Sequence, residues 1–477
     1  MDQFEAPLAD ALRENAAAGY ISFDVPGHKQ VSRVLADYFG ERALALDINS
    51  RAATDYLCQP SGVIRKAEAL AAEAFSAAHA MFMVGGTTSS VQAMIMSVCA
   101  PGEKIILPRN VHSSVINAVI VSGASPVYID PTVHPRLGIS LGMRVAEMER
   151  VILENRDAKA VFLNNPTYYG VCSHIRAIVA LAHRYGMRVL VDEAHGTHFY
   201  FHEDLPEAAM ACGADMAAVS MHKTGGSLTQ SSLLLMADTV DYRHVQNIVN
   251  LTRTTSASYL LLASLDLARR YLATEGHAAL TRTIALAERT RARINAIGGY
   301  LAFGRDIVDG DAVYDFDVTK LSVNTLGTGL VGIEVYSLLR DEYRVQPEFG
   351  DMGNILAMAT LSDTEEAHEA LVCALAQVAA AHASHTAAPF RYEYIPPKVI
   401  VSPRAAFYSR KRALPVAECV NQISGDSVMC YPPGVPLLAP GELITEQIVE
   451  HILLAAEKGC SVTGLSERGE LSVLDGI

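Results

Sequence analysis

The eight cysteines of the 477-residue chain, at positions 58, 99, 172, 212, 373, 419, 430 and 460, form no CxxC pair. That scatter suits neither a disulfide framework nor a zinc knuckle, and it points to a reducing, cytoplasmic setting. Positive charge is also scarce: 38 Lys+Arg stand against 52 Asp+Glu, a formal charge of −14. The imbalance argues against nucleic acid and against an anionic membrane surface as partners, and it is compatible with a small cationic substrate. The first twenty residues, MDQFEAPLADALRENAAAGY, are acidic and amphipathic and lack the basic and apolar regions of a secretory leader. The alanine-rich stretch near 367–382 is broken by His and Gln, and reads as a core helix rather than a membrane span. There is no repeat, no low-complexity tract and no long run of like charge.

Half of the residues are hydrophobic, and the length predicts two or three domains. From about 60 to 240 short apolar runs alternate with helical patterns. KIILP (104–108), PVYID (126–130), AVFLNNP (160–166), RVLVDEAH (188–195), MAAVS (216–220) and LLLMAD (233–238) read as strands. SSVINAVIVSGA (113–124) and SHIRAIVALAHRYG (173–186) read as helices that stop near a glycine. The alternation predicts an α/β fold with a mainly parallel sheet, whose ligands bind beyond the carboxyl ends of the strands. Residues 245–300 read as helical, short strands resume after 303, and 382–390 reads as a linker. YPPGVP (431–436) can be neither a helix interior nor a central strand, so it is expected to be a shaped loop.

Three segments carry candidate chemistry. MFMVGGTTSSVQAMIMSV (81–98) runs from a strand through Gly85-Gly86 into a helix that begins with hydroxyl residues. Free N–H groups and the positive dipole end of such a helix suit a phosphate, although helix capping alone would also explain the hydroxyls. The segment matches neither the P-loop nor GxGxxG, so a nucleotide is not indicated. Asp192 follows the apolar run VLV; a carboxylate buried there needs a cationic or donor partner, such as a protonated pyridine nitrogen. Lys223 sits in SMHKTGGSLTQSS (220–232), just past another apolar run. A partly desolvated lysine has a depressed pKa and becomes the nucleophilic amine that Schiff-base chemistry requires. A phosphate cup, a strand-end aspartate and a lysine about thirty residues later together have the layout of a pyridoxal phosphate (PLP) enzyme. A rival metal site could be drawn from His195, His198 and His202, but only if that segment were helical, and Gly196 with the aromatic run after it argues against a helix. No metal is therefore expected.

The sequence resembles the bacterial Orn/Lys/Arg decarboxylase family in its short form without a wing domain. DVPGHKQ (24–30), VGGTTSS (84–90), NVHSSVINAVIVSGASPVYIDP (110–131), VDEAHGTHF (191–199), SMHKTGGSLTQSS, TTSASYLLLASLDLAR (254–269) and YPPGVPLLAPGE (431–442) carry the resemblance over nearly the whole chain. It departs from the family pattern at Ser113, where lysine is usual, at Gly85, where asparagine is usual, and at Ala257, where proline is usual. The resemblance implies a fold-type-I, aspartate aminotransferase-like large domain and a smaller C-terminal α+β domain. The expected boundaries are an arm at 1–45, a PLP domain at 46–305 and the small domain at 306–477. It further implies that Lys223 holds PLP as a Schiff base, that Asp192 pairs with the pyridine N–H, and that His112 stacks on the ring beside His195 and Ala194. Thr87, Thr88, Ser89, Ser220 and His222 would hold the phosphate.

The implied reaction is decarboxylation of a basic amino acid, arginine first, then lysine or ornithine, with a place in polyamine biosynthesis. Asp55, Glu348, Asp351 and Glu418 are candidates for a distal cation, and Arg404 for a carboxylate. A homodimer with shared active sites, or a higher assembly, is expected. The alternatives are a PLP enzyme acting on a nonstandard amino acid, one catalysing aminotransfer, aldol or elimination chemistry, and a non-enzymatic regulator on the same fold.

Overall fold

The computed structural model describes residues 1–382, 394–431, 436–457 and 460–476. The chain forms two compact units, each built from separated segments: Met1–Ser97 with Arg188–Thr281, and Val98–Met187 with Arg282–Ile477. The division expected from sequence is linear, whereas these units are interleaved along the chain.

In the first unit the strands His79–Met83, Ser232–Met236, Met216–Val219 and Arg188–Asp192 lie side by side in that order. The last two are parallel, and the first is antiparallel to Ser232–Met236. Met216–Val219 and Ser232–Met236 are buried along their whole length, which explains why these strands read as continuous apolar runs rather than as alternating patterns. His79–Met83 is at the sheet edge, where the backbone of Phe82 faces away from its partner strand. Its N–H is accepted by buried Glu68 at 3.0 Å, and its C=O accepts from Arg253 at 3.1 Å. The two side chains replace one residue of a missing strand.

The N-terminal helix Pro7–Ala17 starts with proline but has no cap of its own at Ala6. Asp266, on the helix Tyr259–Ile297, supplies the cap by accepting from the N–H groups of Leu8 (2.9 Å) and Ala9 (3.3 Å). Arg269, fully buried, bonds Asp266 and the carbonyls of Gln3 and Glu5. The ASLDLAR element is therefore what anchors the N-terminus.

The second unit carries the parallel strands Ser125–Ile129, Lys104–Pro108 and Ala160–Asn164, with Lys104–Pro108 in the middle. Helices Ser113–Ser122, Val145–Glu154 and Ile175–Arg184 belong with them. A second, antiparallel sheet has the order Phe349–Gly350, Asn354–Met358, Lys320–Asn324, Leu301–Phe303. Helices Gly332–Asp341 and Glu365–Ala381 close a core over it that includes Val335, Leu339, Leu371 and Leu375. The alanine-rich stretch is thus the core helix expected. Small antiparallel pairings near the C-terminus enclose a further core around Val428, Leu438, Ile448 and Ile452. Most of the 382–390 linker, and Pro432–Val435 of the YPPGVP loop, lie outside the described residues. No helix among the described residues is long and apolar enough to cross a membrane.

Candidate active site

Strand register in the first unit fixes which loops emerge together. Asp192 lies opposite Ala218, Val219 opposite Leu233, and Ser232 opposite Met83. The turn after Asp192, the turn after Val219 and the loop after Met83 therefore leave the sheet along one edge, the carboxyl edge of its parallel pair.

The loop after Met83 leads into the 13-residue helix Gly86–Val98. A Cβ at Gly85 would sit 2.8 Å from Ser89 Oγ, and Gly86 has φ +71°, so two glycines are needed for the chain to enter the helix here. Gln230 holds the loop from outside: its Nε2 donates to the Val84 carbonyl at 2.7 Å, and its own carbonyl accepts from the Gly86 N–H at 2.9 Å. Ser232 Oγ donates to the Val219 carbonyl at 2.8 Å and lies 3.2 Å from the hydroxyls of both Thr87 and Ser90. The TQSS end of the lysine motif thus fastens the first turn of the helix. Thr88 is exposed there, and Ser89 donates to the Gly86 carbonyl at 2.8 Å. A helix N-terminus bearing such hydroxyls can hold an anion.

Lys223 lies on a single helical turn, Met221–Thr224, and its Nζ is 2.9 Å from His195 Nε2. The lysine is half-buried and His195 is 5 % exposed. The turn is tightly held. A Cβ at Gly225 would sit 2.8 Å from the Met221 carbonyl, and Thr197 Oγ1 donates to the buried Ser220 carbonyl at 3.0 Å. Ser220 Oγ is 3.1 Å from His222 Nδ1, which also lies 3.3 Å from the Ser231 carbonyl. Asp192 is 5 % exposed and accepts from the Ala194 N–H at 3.1 Å.

Glu193 has a structural task that the sequence did not reveal. Its carboxyl group accepts from Tyr200 at 2.5 Å and from the Ala209 N–H at 2.7 Å. Burial pushes its pKa up to about 8. One local expectation is corrected: Thr197–Phe201 is a 3-10 helix, although Gly196 and the aromatic run read as non-helical. The aromatics are its cause, because Tyr200 and Phe201 pack on Phe75 at 4.9 and 5.1 Å, and tertiary contact overrides local propensity. The histidines it aligns do not make the metal set drawn from sequence. Ligating atoms of His202, Glu203 and His277 do approach one another, but His202 Nδ1 accepts from the Asp204 N–H at 3.1 Å and its Nε2 is 2.9 Å from Thr281 Oγ1.

Other candidates lie in the second unit. His112 caps the helix Ser113–Ser122: its Nδ1 accepts from the Ser114 N–H at 3.2 Å. Arg404 is engaged by the far end of that helix, donating to the carbonyls of Ile120 (3.3 Å) and Val121 (2.6 Å). Glu418 and Glu348 are exposed. Asp351 is half-buried and accepts from the N–H groups of Gly353 (2.8 Å) and Asn354 (2.7 Å) and from the Tyr169 hydroxyl. In the first unit Asp55 is occupied likewise, accepting from the N–H groups of Ser61, Gly62 and Ile64 at the start of the helix Val63–Ala74. Asp55 and Asp351 therefore serve the backbone.

The donor set of the first unit fits PLP: an amine for the aldehyde, a buried carboxylate for the ring nitrogen, and a helix N-terminus for the phosphate. Comparison with known proteins bears on the same point. Residues 6–324 match the family described as Orn/Lys/Arg decarboxylase, major domain, and residues 389–468 its C-terminal domain. A protein of Bacillus anthracis named arginine decarboxylase is 43 % identical over 97 % of this chain and 96 % of its own length. One of the same name from Bacillus subtilis is 42 % identical over 97 % of this chain and 96 % of its own length. Among solved structures, the Francisella novicida lysine decarboxylase LdcF has the same fold, with a TM-score of 0.86 at 20 % identity, over 98 % of this chain and 81 % of that one. An alanine–glyoxylate aminotransferase from Nostoc shares it more distantly, with a TM-score of 0.53 at 17 % identity over 66 % of this chain and 86 % of the other. The architecture is that of fold-type-I enzymes, and the chain belongs to the Orn/Lys/Arg decarboxylase family.

Proposed function

We propose that the protein removes the α-carboxyl group of arginine as CO2, using PLP, and releases the corresponding amine. The observation that carries this reading is the 2.9 Å contact of Lys223 Nζ with His195 Nε2, at the sheet edge that also bears Asp192 and the proposed anion site. Four relatives named arginine decarboxylase, 42–43 % identical to this chain, support the choice of substrate.

PLP, when bound, supplies an electron sink for the pair left behind as CO2 departs. Lys223 would hold the cofactor through its amine and yield to the incoming substrate amine. Asp192, in its buried position, would keep the proton on the ring nitrogen. The N–H groups and hydroxyls at Thr87–Ser89, with Ser220 and His222, would take the phosphate. Nζ of Lys223 and Nε2 of His195 form a connected pair, so either can carry the proton that the α-carbon needs once CO2 has left. His112 is assigned by resemblance to the ring face, and Glu418, exposed in the structure, remains the proposed partner of a distal cation.

A homodimer belongs to the same proposal. Ile21, Phe23, Val31, Val34, Tyr38 and Phe39 are 66–93 % exposed within one short stretch, an apolar surface that a second copy would cover. The thiols of Cys58, Cys99, Cys373, Cys419 and Cys460 form no disulfide, which supports a cytoplasmic setting.

The test is a visible spectrum of the purified protein before and after addition of arginine, lysine and ornithine separately, with evolved CO2 recorded. The proposal expects a cofactor absorption band that is absent in Lys223→Ala, and stoichiometric CO2 and amine from arginine. A keto acid product would overturn decarboxylation. Failure to bind PLP would overturn the role of Lys223.

A further inference from the structure

We infer that Glu442, the last residue of the YPPGVPLLAPGE signature, is a positioning residue that acts on His112 through Arg109. The inference rests on the functional reading above, which places His112 at the cofactor.

Arg109 directly follows the strand Lys104–Pro108, and its N–H donates to the Ile129 carbonyl at 2.9 Å. Its guanidinium is buried and fully directed. Nε donates to Glu442 Oε1 at 3.0 Å, Nη2 to Glu442 Oε2 at 2.8 Å, and Nη1 to the Pro436 carbonyl at 2.7 Å. Glu442 Oε2 also accepts from the Ala439 N–H at 2.7 Å. One guanidinium thus holds both ends of the turn 436–442. The two side chains are 3 % and 2 % exposed, although 333 residues separate them.

Burying such a pair is a poor way to gain stability, because desolvation of both ions consumes most of the attraction, and well-packed apolar residues of similar volume serve at least as well. A two-pronged Arg–carboxylate contact instead fixes geometry. The geometry fixed here is that of a very short segment. Val111 is fully buried, and three residues after Arg109 the ring of His112 is set by its cap on Ser114, with Nδ1 also 2.9 Å from Ser114 Oγ. Because Nδ1 accepts a backbone N–H, the neutral ring carries its proton on Nε2. The segment 109–114 is therefore held at one end by the ion pair and at the other by the helix cap, with His112 between the two.

The experiment compares the holoenzyme with Glu442→Gln, Arg109→Lys, the paired Arg109→Met/Glu442→Leu, His112→Ala, and the last combined with each of the Arg109 variants. Thermal midpoint, PLP affinity by visible titration, and kcat and KM for arginine are measured. Glu442→Gln is expected to lower the midpoint. The apolar pair is expected to recover the midpoint while kcat stays roughly tenfold low and PLP affinity stays reduced, a size typical of coupling between neighbouring residues. Arg109→Lys keeps the charge, loses the fork and is expected to lower kcat in the same direction if the apolar pair does not fold. In the His112→Ala background neither Arg109 variant should lower kcat further. Wild-type kcat in both Arg109 variants, or losses that multiply with that of His112→Ala, would overturn the inference while leaving the proposed reaction intact. Unchanged turnover and PLP affinity in His112→Ala would overturn the role of His112 and the inference with it.

Discussion

His195 shows how much one side chain can depend on a neighbour. Its Nε2 is 2.9 Å from Lys223 Nζ, and its near-complete burial holds that contact in place. His195→Gln should leave PLP bound yet lower kcat by about 100-fold, the lower range for a positioned proton carrier, with KM little changed; steady-state kinetics on the cofactor-loaded variant check this. Two buried carboxylates make a second residue-scale prediction. Burial pushes Glu68 up to about 7 and Glu193 up to about 8. Both folded values lie above the ordinary carboxylate value, so the native state holds protons that the unfolded chain has already released. Stability from these groups is full below about pH 4.5 and is lost as pH rises through about 7 and 8. Glutamine mimics the protonated group. Glu68→Gln/Glu193→Gln should therefore show a flatter thermal midpoint from about pH 5 to about pH 8 than the parent protein.

At the scale of elements, the main result is the way one motif serves another. SMHKTGGSLTQSS supplies the lysine at its start, while Gln230 and Ser232 at its end hold the loop and helix of the proposed anion site. Gln230→Ala removes one hydrogen bond of about 1 kcal/mol, so PLP affinity should fall roughly fivefold while the visible band of the bound fraction is unchanged. Visible titration measures this directly. The motif spacing was legible in the sequence, as were the strands at 104–108 and 216–219 and the helix after Gly86. The 3-10 helix at Thr197–Phe201 was not, because packing on Phe75, 122 or more residues away in sequence, decides it.

For the whole molecule, the anchoring of the N-terminus matters most. Asp266 and Arg269 are both fully buried and together tie down residues Gln3–Ala9. Asp266→Asn leaves a buried guanidinium unpaired and should cost about 3–5 kcal/mol. A lowered thermal midpoint, with earlier protease cleavage near the N-terminus, is the expected result. The exposed apolar side chains at 21–39 follow this anchored helix, so the same variant should also weaken the proposed self-association, as read by analytical ultracentrifugation.

By itself the sequence determined the α/β class and the family, and it singled out Lys223, Asp192 and the hydroxyl-rich helix start as the proposed cofactor site. Each is written locally, in apolar runs, glycines and short motifs whose spacing is set by strand and helix geometry. Tertiary structure alone decided which polar groups are already taken. Asp55, Asp351 and Arg404 looked available to a substrate, but they are bonded to helix ends and turns. Arg109 and Glu442 carried no signal as a pair, because a contact across 333 residues leaves no periodicity in the chain. Burial makes such partners obligatory, and burial is settled only when distant segments pack.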